Sequence, residues 1–87
     1  MTDADIKKIV NKALIEEFEL NEEELTAHAH IRNDLGLDSL DIVDMVIVLE
    51  KAFSFKLPNR EVLAEIQTIG DMYAFIISLR DSGIIQK

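Results

Sequence analysis

The sequence predicts an all-α protein, a four-helix bundle with a long first loop and a short third helix. Apolar residues recur at helical spacing in three separate segments, side chains suited to helix capping stand ahead of each, and 87 residues contain only one Pro and three Gly. Hydrophobic residues make up 48% and charged residues 30%, the balance of a compact helical domain and not of a disordered tail. A domain of this length buries only about 60% of the surface its unfolded chain exposes, so a single domain over 1–87 with one core is expected and a large enzyme with a deep active site is not.

Thr2 and Asp5 fit the S/T-x-x-acid capping pattern, and Ile6, Ile9, Val10, Ala13, Leu14 and Phe18 follow with helical spacing, which predicts helix one over about 3 to 18. Residues 19 to 37, "ELNEEELTAHAHIRNDLGL", lose that rhythm, yet Leu20, Leu25, Ile31, Leu35 and Leu37 recur within them. They read as an extended loop pinned to the core by those side chains, with room for one short helical turn.

The segment "IVDMVIVL" is rich in β-branched residues, and propensity alone would make it a strand. Periodicity decides otherwise. On a helix Ile42, Val46, Leu49 and Phe53 share one face with Met45 at its edge, while Asp41, Asp44 and Lys51 fall opposite; strict alternation would put Asp44 among Ile42 and Val46. With Asp38 as cap, helix two spans about 39 to 53. After Pro58, "NREVLAEI" predicts a short third helix capped by Asn59. Thr68 with Asp71 caps a fourth, whose stripe is Ile69, Met72, Tyr73, Ile76 and Leu79, and Gly83 followed by Ile84 reads as its stop with a hydrophobic contact after it.

The absence of cysteine excludes disulfides and thiolate metal sites, so any thiol chemistry needs a thiol from outside the sequence. "MTDADIKK" argues against a secretory signal, and an apolar stretch such as Met45 to Leu49 is far too short to span a membrane, so a soluble, cytoplasmic protein is expected. The net charge is −8 and unevenly placed, since residues 16 to 50 hold eleven acids against one base, Arg32, for a local −10. Such a surface repels nucleic acid and anionic lipid and steers proteins with Arg/Lys patches toward it.

Ser39 stands between Asp38 and Asp41 at the start of helix two. Unpaired backbone N–H groups and the positive end of the helix dipole favour an anion there, so a phosphate ester on this hydroxyl is physically reasonable. The flanking carboxylates would repel a freely diffusing polyanion, which favours covalent modification over a phosphate pocket. Leu40, Ile47 and Val48 project away from the core face and lie among Asp41 and Asp44, an apolar strip in an acidic surface. Charge speeds encounter and a small apolar centre fixes the register without slowing release, which suits short-lived recognition.

"LGLDSLDIVDMVIVLE" resembles the Asp-Ser-Leu prosthetic-group motif of acyl carrier proteins, and the whole chain resembles a freestanding carrier of that family. The likeness also takes in the amphipathic first helix, the long loop, an F-x-x-x-L-P segment and the final helix after "IQTIGDM". The resemblance implies that Ser39 receives 4'-phosphopantetheine from coenzyme A through a holo-carrier synthase, the arm's thiol then holding acyl groups as thioesters. It implies that Asp38 helps present Ser39, and that Leu40, Asp41, Asp44 and Ile47 form much of the face met by acyl-loading, transfer and synthase enzymes with basic patches. A monomeric carrier, not an enzyme, is expected, working in fatty-acid or specialised lipid biosynthesis; a polyketide or aminoacyl carrier, or an unmodified acidic adaptor, is the alternative. Ile42, Val43, Val46, Leu49, Phe53 and the fourth-helix stripe are ordinary core first, with opening to an acyl chain as an added property of the family.

Two features depart from the family's usual pattern. Lys51, Lys56 and Arg60 offset Glu61 and Glu65 where general fatty-acid carriers stay acidic, and the segment from Pro58 to Ile66 is one residue longer, so a shifted or bulged third helix is expected. His28 and His30 lack the further ligands a metal needs, and a Ser39, His28, Asp34 hydrolase lacks a nucleophile elbow and an oxyanion loop. No metal site is expected. Asp41→Lys and Asp44→Lys are both expected to impair docking without harm to the fold, as solvent-facing positions.

Overall fold

The computed structural model describes residues 1–57 and 61–85, and every regular element among them is helical. Three α-helices form, α1 (Asp3–Phe18), α2 (Ser39–Phe53) and α3 (Ile69–Asp81), with 3-10 turns at Glu22–Glu24 and Glu61–Glu65. Among the described residues no helix is long and apolar enough to cross a membrane.

Each α-helix starts on a reciprocal capping box. The Thr2, Asp38 and Thr68 side chains accept from the backbone N–H three residues on, and Asp5, Asp41 and Asp71 reach back to the N–H of the cap residue. Two otherwise orphaned donors are thereby satisfied at every helix start. The predicted helices one, two and four are these three. The predicted third helix differs: it is a 3-10 stretch of five residues, Glu61–Glu65, anchored by the buried Leu63. Five residues make less than two turns, too few for the α-ladder to recover its nucleation cost, and one apolar anchor suffices to hold the tighter turn. The proposed Asn59 cap and Pro58 lie outside the described residues.

α1 packs against both α2 and α3. Ile6, Val10 and Leu14 of α1, Met45, Val46, Leu49 and Phe53 of α2, and Ile69, Met72 and Ile76 of α3 are at most 1% exposed and form the centre of the core. Tyr73 is the polar exception inside the bundle: its hydroxyl donates to Asn11 Oδ1 on α1, with the Leu25 carbonyl 3.3 Å away, and its ring lies 5.7 Å from the Lys7 ammonium. Burying a phenol is tolerable only with such a partner. At the far end Arg80 pairs with Asp3 at 2.6 Å and Asp81 at 2.8 Å and donates to the Met1 carbonyl, tying the end of α3 to the start of α1.

α3 ends with Gly83 at φ 84, where the Ile84 N–H donates back to the Leu79 carbonyl. The hydrophobic contact after this stop comes from Ile85, which is 3% exposed, and not from Ile84, which is 49% exposed.

The first loop is a strap. Ile31 (0% exposed), Leu25 and Ala29 are buried while Leu20, Leu35 and Leu37 pack partly against the core, as the recurrent leucines predict. Its backbone is laced to the start of α3: Ile31 N–H donates to the Gln67 carbonyl, Ile69 N–H to Ala29 and Gly70 N–H to Ala27, around a single antiparallel bridge between His30 and Thr68. Glycine is required at position 70 because a Cβ there would sit 2.8 Å from the Ala27 carbonyl oxygen.

Candidate functional site

From Ile31 the chain must turn back to begin α2. His30 accepts from the Asp34 and Leu35 N–H groups, its own N–H donates to Asp34 Oδ2 at 2.7 Å, and Gly36 at φ 70 completes the reversal in a conformation that disfavours a side chain. Leu37 N–H then donates to the Ile31 carbonyl, which brings Asp38 out at the edge of the core in an extended conformation.

Asp38 Oδ1 accepts from Asp41 N–H and Asp41 Oδ2 from Asp38 N–H, both at 3.0 Å. Ser39 is the first residue of α2 and is exposed. Ile42 N–H is taken by the Asp38 carbonyl, whereas the N–H groups of Ser39 and Leu40 have no hydrogen-bond partner among the described residues. The serine hydroxyl therefore stands in solvent beside two open donors and the positive end of the helix.

Ser39 also borders an open cleft of about 490 Å³ between α2, the strap and the 3-10 turn at Glu61–Glu65. His30, Arg32 and Gln67 line its polar side, with Ile42, Leu63 and Ile66 on the apolar side. His30 Nδ1 accepts from Asn33 N–H, so a neutral imidazole carries its proton on Nε2. The site has a hydroxyl, donors and space for a flexible phosphodiester-linked chain, and the residues present fit such a group.

Of the other predicted surface residues, Leu40 is 73% exposed, Ile47 36% exposed, Asp44 exposed and Val48 half-buried. Asp41 corrects the sequence expectation. It is half-buried and its carboxylate closes the cap, so it does not simply face solvent as Asp44 does. The signal was available: Asp38-x-x-Asp41 has the same spacing as Thr2-x-x-Asp5. His28 and Asp34 line a separate cleft with Glu24 and Thr26, while Ser39 opens onto the cleft beside His30, so Ser39, His28 and Asp34 are not brought together. Missed from sequence were His30 and Arg32 as neighbours of the serine, brought there by the strap.

An exposed serine at a helix start, open on one side to a cleft and set in an acidic surface, is a setting that suits a protein bearing a covalently tethered group. The family profile described as "Phosphopantetheine attachment site" matches residues 8–76. An acyl carrier protein of Wolinella succinogenes is 38% identical over 72 residues, which cover 83% of this chain and 88% of that protein. The chain belongs to the acyl carrier proteins, the family that bears 4'-phosphopantetheine. It is a carrier and not an enzyme, and holds acyl groups as thioesters on the thiol that the bound arm supplies. That thiol is what a cysteine-free chain lacks. Carriage of this kind implies visits to synthase and transferase enzymes.

Proposed function

We propose that Ser39 is the attachment point, that residues 1–87 form one carrier domain, and that the cargo belongs to fatty-acid or specialised lipid biosynthesis. The observation that carries this reading is the exposed Ser39 hydroxyl at the first position of α2, beside the unpartnered N–H groups of Ser39 and Leu40. In the attachment step a bond forms between Ser39 Oγ and phosphorus as the pyrophosphate bond of coenzyme A breaks; the hydroxyl proton leaves to a base and the nucleotide half departs. The open donors then face the new phosphodiester anion. Asp38 holds the turn that presents Ser39, through its bond to Asp41 N–H.

Leu40, Asp44, Ile47 and Val48 form the docking face in this reading, with Asp41 shaping its edge through the cap. The 3-10 stretch Glu61–Glu65 takes the place of the third helix in a four-helix carrier bundle, closing one side of the cleft at Ser39. A monomer in the cytoplasm fits a carrier that must present this face to several partners in turn.

The test is intact mass after incubation with coenzyme A and a holo-carrier synthase. Wild type gains the mass of one arm and Ser39→Ala gains none; an arm on Ser39→Ala, or none on wild type, overturns the assignment. Loading of the holo protein separates the pathways, since acceptance of amino acids but not fatty acyl groups would reject the lipid reading.

A further inference from the structure

Leu40, Asp44, Ile47 and Lys51 recur along α2 at spacings of four, three and four residues, so they lie along one line of the helix, and all four are exposed. At a rise of 1.5 Å per residue, Asp44 and Lys51 stand about 10 Å apart and the whole line runs about 16 Å from beside Ser39. The order is apolar, acidic, apolar, basic.

At its far end a shallow groove of about 330 Å³ is lined by Ile47, Glu50, Lys51, Phe55 and Lys56. Glu50 Oε2 accepts from the Leu57 N–H at 2.8 Å and so anchors the chain leaving the helix. Lys51 and Lys56 are exposed and make no ion pair among the described residues. A cation in the last turn also complements the helix dipole, which alone would account for Lys51. Lys56 lies beyond the left-handed Ser54 that ends the helix and has no such role, yet it borders the same groove. A uniformly basic partner would meet attraction at Asp44 and repulsion about two helical turns further on.

We propose that the enzyme which esterifies Ser39 reads this line as a two-signed ruler: a basic side chain set against Asp44, an apolar socket for Ile47, and a carboxylate about 10 Å beyond, against Lys51 and Lys56. The inference rests on Ser39 as attachment point. It falls on the arm-installing enzyme because that partner must hold the Ser39 hydroxyl itself, whereas later partners are reached through a flexible arm that relaxes the register.

The probe is the recombinant holo-carrier synthase of the same source, with KM and kcat taken from initial rates of mass gain. Lys51→Glu with Lys56→Glu raises KM about tenfold with kcat unchanged, Lys56→Glu alone about threefold, and Asp44→Lys by an amount like the double change. All three effects shrink in about 1 M salt, where charges are screened within about 3 Å. Lys56→Glu lies outside α2, so its effect cannot come from a weakened helix end. A KM that stays level or falls in the double variant overturns the proposal, because a wholly basic docking face prefers the more acidic carrier. A wild type that takes no arm overturns the attachment reading and this one with it.

Discussion

The starts of α2 and α3 carry the same cap and put it to opposite uses. In each, an Asp at the third helical position accepts from the cap residue's N–H, at 3.0 Å in α2 and 3.1 Å in α3, and the cap side chain returns the bond at 3.0 Å. They part at the two positions between. In α3 the N–H groups of Ile69 and Gly70 are taken by the Ala29 and Ala27 carbonyls, Ile69 is fully buried, and the strap closes the end. In α2 the corresponding N–H groups belong to Ser39 and Leu40, both exposed and without partners among the described residues. A helix start needs its donors satisfied somehow, and a protein that leaves two of them to solvent can offer them to a ligand. What separates the open start of α2 from the closed start of α3 is the strap, not the cap.

The sharpest way to break this comparison is at the first helical position. Ile69→Ala deletes a fully buried side chain and should lower stability by about 2–5 kcal/mol in urea unfolding, whereas Ser39→Ala should change it by under about 0.5 kcal/mol while abolishing arm attachment. Equal losses at both positions would mean that the α2 start is packed like that of α3.

The second position gives a smaller effect in the same sense. At Gly70 an added methyl meets the Ala27 carbonyl oxygen at 2.8 Å, a backbone atom that cannot rotate aside. Overpacking of that kind costs about 1–3 kcal/mol, against a gain of up to about 1 kcal/mol from alanine's helix propensity, so Gly70→Ala should be destabilising by about 1 kcal/mol net. The melting temperature should then fall by several degrees. Leu40→Ala, 73% exposed at the matching place in α2, should leave it unchanged.

At the third position the two helices should agree. Asp41→Lys and Asp71→Lys each remove half of a capping box and put a cation at the positive end of a helix, for about 1 kcal/mol apiece. Asp44→Lys, one turn further along and exposed, should cost nothing measurable. Thermal melts of the three variants check this, and a neutral Asp41→Lys would restore the sequence-based expectation that the residue only faces solvent.

Local signals explain which parts of this arrangement were legible in the sequence. Thr2, Asp38 and Thr68 with an acid three residues on mark helix starts, and the apolar stripes fix how far α1, α2 and α3 run, because caps and periodicity depend only on near neighbours. Leu25 and Ile31 likewise announce that the loop is pinned. The pairing of that loop with α3 is another matter: the His30–Thr68 bridge joins residues far apart in sequence and has no periodicity to betray it. Hence Gly70 carried no visible meaning, and His30 and Arg32 could not be placed beside Ser39. The third helix failed for a related reason, since a five-residue stretch is set by its one buried anchor, Leu63, more than by propensity.

Acid weakens the α3 cap. The Gln67 N–H is the chief hold on the Asp71 carboxyl below its ordinary value of 3.8; burial opposes it, the Thr68 N–H and hydroxyl reinforce it, and the carboxylate accepts the two N–H bonds at 3.0 and 3.1 Å. A carboxyl whose folded-state pKa is depressed binds protons less readily folded than unfolded. Its contribution to stability is therefore complete above the unfolded value and drains away as pH falls from there through the lower folded one. Wild type should lose stability on acidification below about pH 4 more steeply than Asp71→Asn, whose side chain keeps the shape but not the charge. Urea unfolding at a series of pH values reads the difference, which is largest near neutrality and narrows toward the acid end. The effect is small because Asp71 is exposed and water screens it. Parallel curves for the two proteins would show that the strap, and not the charged cap, holds the start of α3.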